Sequence, residues 1–182
     1  MSLVRRRELL ATLATATAAA TAGCDSLGES LTDTEGEGEQ GPVTVETLDA
    51  PGSSAGTATV PAPGRVTFVE FFATTCDICA AQISAVGAAY DRLDSDVQFL
   101  SVTSEPVGLS VSKGEVASWW ADHDGDWPVG VDDGTALARR YDATSVPTAV
   151  VVDAPGRVAW RHAGRTDADT IVEAIESAGE QA

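Results

Sequence analysis

Lysine is almost missing from this chain: of eleven basic side chains only Lys113 is lysine, and 28 acidic residues oppose them. The formal net charge of -17 repels phosphate backbones and leaves no basic stripe to hold them, which excludes nucleic acid as a partner. Cysteine is also scarce, since three thiols are too few for a disulfide scaffold. A long apolar run is lacking as well. The most apolar stretch, residues 9–22, has 14 residues where a membrane-spanning helix needs about 20. No internal repeat is present. What remains is a 182-residue chain with 43% hydrophobic residues, enough to bury the core of one domain. The acidic excess is spread along the chain and reads as salt adaptation, because at molar salt the Debye length falls to about 3 Å and a dense carboxylate surface stops repelling itself.

The first 23 residues read as an address. Arg5-Arg6-Arg7 precedes Leu9 and Leu10, an Ala/Thr-rich stretch follows, and Gly23-Cys24 closes it, the layout of a signal peptide. Arg6-Arg7-Glu8-Leu9-Leu10 resembles a twin-arginine export signal, and Thr21-Ala22-Gly23-Cys24 resembles a lipobox in which Cys24 is lipidated, with Thr21 where leucine is usual. Residues 24–42 are Glu-, Gly-, Ser- and Thr-rich and cannot bury enough apolar surface to offset ordering, so they are expected to be a disordered acidic tether. Its reach is roughly 20 to 25 Å as a flexible chain.

Residues 43–180 carry the folded pattern. Residues 43–48 alternate like an edge strand, residues 51–64 read as loop with room for a short strand, and residues 65–72 have apolar side chains on both faces, as in a central strand covered by helices. From Cys79, the residues Ile83, Val86, Tyr90 and Leu93 recur at helical spacing. Further strands are expected at 97–102 and 127–131, and helices at 113–122 and 135–141. A hairpin should span 148–152 and 158–161 about Asp153-Ala154-Pro155-Gly156, followed by a helix over 167–178. This is an α/β chain with a central mixed sheet, flanking helices and an antiparallel C-terminal hairpin.

Cys76-Asp77-Ile78-Cys79 lies where a strand runs into a helix. Such a pair can close a small disulfide ring. At the helix start, unpaired N–H groups and the helix dipole favour the thiolate of Cys76, and Cys79, one turn inward, can resolve a mixed disulfide. Half of a zinc site is the competing reading, but zinc wants four ligands and there is no second C-x-x-C. Asp77 in the first turn draws on the same positive helix end, which disfavours the thiolate and points toward a reducing pair.

Phe71 to Cys79 and the later Tyr141-Asp142-Ala143-Thr144-Ser145-Val146-Pro147-Thr148 resemble the active-site and proline segments of the thioredoxin superfamily. The extra elements between Lys113 and Val131, with the signal and tether, resemble its exported TlpA/ResA-type branch. The resemblance implies a thioredoxin-like fold and a cis Pro147 packed beside Cys76. It implies main-chain hydrogen bonds from Val146 to an extended substrate, and a buried Glu70 that accepts the Cys79 proton. The alternative for Glu70 is a side chain in solvent near a sheet edge. Thr75 stands where the family commonly has tryptophan and faces the substrate, and Ile78 stands where it commonly has proline. No cofactor is implied. The implied partners are protein thiols and disulfides outside the cytoplasm, a thiol electron donor, and the membrane through the lipid on Cys24. The rivals are a copper-delivery protein, a thiol peroxidase and a redox-inert interaction domain. Trp119, Trp120 and Trp127 are expected in the core, and His123 and His162 at the surface.

Overall fold

A computed structural model describes residues 41–180. The signal sequence, Cys24 and the tether up to residue 40 therefore lie outside the described residues. Seven strands, β1 Val43–Thr47, β2 Gly56–Val60, β3 Thr67–Phe72, β4 Gln98–Thr103, β5 Val129–Val131, β6 Thr148–Val152 and β7 Val158–Ala163, form one sheet in the order β2-β1-β5-β4-β3-β6-β7. β3, β4 and β5 run parallel, while β6 is antiparallel to β3, β7 to β6, and β1 to both β2 and β5. Among the described residues the α-helices are α1 Asp77–Tyr90, α2 Lys113–Asp122, α3 Ala136–Arg140 and α4 Ala168–Glu180.

All six residues of β3 are buried, as its two-faced apolar pattern requires of a strand covered on both sides. One face of the sheet carries Phe68 and Phe72 against Cys79, Ile83 and Val86 of α1, Trp120 of α2, and Ile171 and Ile175 of α4. The other carries Val69, Phe71, Leu100 and Val150 against Leu137 and Tyr141 at α3. Truncating Phe72, which stacks on Trp119 with ring centroids 5.1 Å apart, would cost about 3 to 5 kcal/mol by the usual core-cavity arithmetic.

Three expectations change. The short strand within 51–64 is β2, which pairs with β1 over five registered residues from Val43↔Val60 to Thr47↔Gly56, so β2 forms the edge and β1, expected there, lies inside the sheet. Its Gly/Thr/Ala sequence lacks an apolar period, and the strand exists because β1 offers it a ladder. Helix α1 begins at Asp77 with Cys76 as its N-cap, so Cys76 stands at the helix start as expected and Cys79 lies within the first turn. Helix α3 starts later than expected, after a 3-10 turn at Asp133–Thr135 in which Thr135 has φ 59. Trp120 and Trp127 are core residues as expected, but Trp119 is only half-buried.

Candidate active site

The parallel strands β3 and β4 end side by side, and the chain leaving β3 must turn through Ala73, Thr74 and Thr75 to start α1. Glu105, just beyond β4, fixes that turn. Its carboxylate accepts from the Thr74 N–H at 2.8 Å and the Thr74 hydroxyl at 2.9 Å, and also from the Thr103 hydroxyl at 2.9 Å. The Cys76 N–H then donates to the Ala73 carbonyl at 3.2 Å. Cys76 becomes the N-cap of α1, its Sγ accepting from the Cys79 N–H at 3.2 Å. A sulfur there faces the unpaired amides and the positive end of a 14-residue helix.

Cys76 and Cys79 form a disulfide with Cα atoms 5.2 Å apart. The two sulfurs differ in access. Cys76 is half-buried and Cys79 is fully buried. Only the first can meet a macromolecular disulfide without local unfolding, and only the second is held inside the ring for an internal attack. Thr75, Asp77 and Ile78 around them are exposed.

Some seventy residues later in the chain, the loop before β6 returns to the same place. The Val146–Pro147 peptide is cis, Pro147 is buried, and the Val146 carbonyl lies 3.9 Å from Cys76 Sγ. Cys76, Cys79, Val146, Pro147 and Thr75 are thus brought to one end of the sheet. A second cis peptide, Val60–Pro61, was not anticipated from the sequence.

Glu70 lies beneath this surface. It lies two residues from both Phe68 and Phe72 on β3, the residues that pack with Cys79, so it shares their face and points to the α1 side of the sheet and not to solvent. It is fully buried, and burial pushes its carboxyl up to about 8 from 4.5, the Ser101 hydrogen bond opposing the shift. Ser101, its register partner on β4, donates to Oε2 at 2.8 Å, and the Trp127 indole N–H donates to Ser101 Oγ at 2.9 Å. With its lone pair engaged by the indole, the serine hydroxyl has its proton free for the carboxylate. Oε1 has no hydrogen-bond partner among the described residues. An unpaired buried carboxyl oxygen is costly, and such groups concentrate where chemistry uses them.

Sequence reasoning missed Ser101, Trp127 as a donor, and Glu105. Serine opposite glutamate becomes visible only once the β3–β4 register is known, and Glu105 has no local pattern to mark it. The two histidines are not plain surface residues. His123 is half-buried with its ring centroid 4.3 Å from that of Trp119, and His162 stacks on Trp160 at 5.8 Å.

Comparison with known proteins agrees with this geometry. A family model described as Redoxin matches residues 36–177. A Streptomyces lividans protein described as "Mercury resistance operon ORF3" is 28% identical over 131 residues, 66% of this chain, and the chain spans about 65% of that relative's length. The pneumococcal exposed lipoprotein thioredoxin Etrx1 from Streptococcus pneumoniae superposes with a TM-score of 0.63 at 22% identity, covering 75% of this chain and 98% of its own. A secreted Mycobacterium tuberculosis disulfide oxidoreductase homologous to E. coli DsbE superposes with a TM-score of 0.60 at 15% identity, over 74% and 95% of the two chains. These likenesses show that the fold is thioredoxin-like.

Proposed function

The chain belongs to the Redoxin family, and on that premise we propose that it is a thiol-disulfide oxidoreductase acting on protein disulfides through Cys76 and Cys79. The observation that carries the reading is the pairing of a half-buried N-cap sulfur with a fully buried one above a buried, partly unpaired carboxyl.

In the reducing direction the Cys76 thiolate attacks one sulfur of a substrate disulfide, forming a mixed disulfide and releasing the other substrate sulfur as a thiolate that takes a proton from solvent. The Cys79 thiol gives its proton to Glu70, and the resulting thiolate attacks Cys76 Sγ. The mixed disulfide breaks, the second substrate thiol leaves, and the Cys76–Cys79 disulfide forms. Two electrons have passed to the substrate, and an external dithiol returns them. Val146, through its main chain beside the cis Pro147, would align an extended substrate segment at Cys76, and exposed Thr75 would border it.

The net direction is reductive. Asp77, exposed between the cysteines, spends part of the helix-end field that would stabilise the Cys76 thiolate, and a less stabilised dithiol is the stronger reductant. The protein works outside the cytoplasm, tethered by a lipid on Cys24 through the acidic segment 24–42, with 43–180 as its folded domain. In support are the Arg6-Arg7 pair, the Gly23-Cys24 junction, the likeness to an exposed lipoprotein, and the absence among the described residues of any helix able to cross a membrane. Cys24→Ser should release the chain from membranes, and unchanged membrane fractionation with processing intact would refute the anchor. The activity itself is tested by reduction of a protein disulfide with a dithiol as donor. Wild type should accelerate it and Cys76→Ser should not, and equal rates would overturn the proposal.

A further inference from the structure

Of the lysines and arginines among the described residues, Arg165 is set apart. Every other one holds a carboxylate or a backbone carbonyl: Arg157 binds Asp153, Arg161 binds Asp142, Lys113 binds Glu46, and the rest are engaged likewise. Arg165 is exposed and its guanidinium meets no partner among the described residues. In a chain with 28 acidic side chains, an arginine left without a carboxylate is unusual.

Its place is fixed from both sides. The Gly164 N–H donates to the Pro147 carbonyl at 2.8 Å, and the Thr166 N–H donates to the buried Gln82 Oε1 on α1 at 2.9 Å. The Arg165 carbonyl lies 3.0 Å from His162 Nε2. Gly164 takes φ 95, a conformation open to glycine, to make the bend between these anchors. The arginine therefore sits on a turn hydrogen-bonded to the residue of the cis proline on one side and to the redox helix on the other. The Val146 carbonyl, one residue from Pro147, is 3.9 Å from Cys76 Sγ.

Resting on the thiol-disulfide reading, we propose that Arg165 is a specificity residue that selects polypeptide disulfides flanked by carboxylates. The rest of the surface is strongly acidic and repels such a segment, so a cation held ready at the rim of the reacting sulfur decides which segments dwell there. Charge pairs at an exposed rim act mainly on association rate and are screened by salt. Asp77, exposed next to Cys76 in the chain, is present in wild type and in Arg165 variants alike, so a ratio of ratios isolates the arginine.

The test uses the reduced full-length protein and two synthetic peptide homodimers joined through one cysteine, flanked by Glu in one and Gln in the other. It is run at the lowest ionic strength that preserves the far-UV circular dichroism. The second-order rate of Cys76/Cys79 oxidation is measured with each peptide. Arg165→Gln should lower the Glu-over-Gln rate ratio by about two- to fivefold, the range of exposed ion pairs. Arg165→Glu should lower it further, and added salt should erase the difference between wild type and Arg165→Gln. An unchanged ratio in Arg165→Gln would overturn the proposal. If neither peptide oxidises the wild-type protein while dithiol oxidants do, the reading of protein disulfides as substrates falls, and the role of Arg165 falls with it.

Discussion

At the scale of the residue, the site turns on how a carboxyl is kept in the core. Glu70 titrates near 4.5 in the unfolded chain and at about 8 in the fold, so the folded state holds its proton longer. The stabilisation is complete below pH 4.5 and is lost as pH rises through 8, a fall on the order of 5 kcal/mol at 1.36 kcal/mol per unit. Glu70→Gln should therefore leave stability near pH 4 little changed and raise it above pH 8, as read from urea midpoints across pH. Wild type should show a rise in mixed-disulfide resolution as Glu70 ionises near pH 8, and the same variant should lose that rise. Parallel stability profiles for the two proteins would refute the burial argument. Asp77 is the second residue with a directional effect: Asp77→Asn should raise the reduction potential of the pair in low-salt redox titration, and a potential that stays or falls would refute the charge argument.

What could be read at this scale were the residues whose type already names their chemistry. The paired cysteines stand out by spacing, Glu70 by being a charge in an apolar strand, and Pro147 by its place in a family segment. Ser101 and Glu105 are ordinary residues given meaning by partners 31 positions away, Glu70 and Thr74. A one-dimensional pattern holds no record of such pairs.

At the scale of the element, the joint between β3 and α1 is the working part. Glu105 satisfies both the amide and the hydroxyl of Thr74, holding the approach to Cys76 from the end of β4. Glu105→Ala leaves the Thr74 amide without its acceptor, which should cost about 1 to 3 kcal/mol and expose that amide to rapid hydrogen exchange. Retained protection at Thr74 would show that the loop is held by something else. Helix α2 begins with a capping box, Ser112 Oγ accepting from the Glu115 N–H and the Glu115 carboxylate from the Ser112 N–H. Those hydrogen bonds also hold the Glu115 carboxyl below its ordinary range. Elements with a strong apolar period, such as β3, α1 and α4, were legible within a few residues. Strand β2 was not, because its pairing with β1 supplies the order that its own side chains lack.

At the scale of the whole molecule, two layers of helices leave one end of the sheet open, and there the N-cap of α1, the Val146–Pro147 peptide and the turn at Arg165 converge. The mixed sheet, the antiparallel C-terminal hairpin and the interior position of β3 followed from the alternation of patterns along the sequence, whereas the strand order did not, and β1 lies inside the sheet instead of at its edge. The resemblance already placed Val146 and Pro147 beside Cys76, and the arrival of residue 165 at the same place followed only from the fold, since it depends on β6 and β7 returning antiparallel beside β3. The account's central claim is an asymmetry: Cys76 meets substrate, and Cys79 resolves. It is tested most directly by presenting a protein disulfide to reduced Cys79→Ser and Cys76→Ser variants and locating the adduct by mass spectrometry. The account predicts a stable mixed disulfide on Cys76 in the Cys79→Ser variant and little or none on Cys79 in the Cys76→Ser variant. Adducts that accumulate mainly on Cys79 of the Cys76→Ser variant would contradict it.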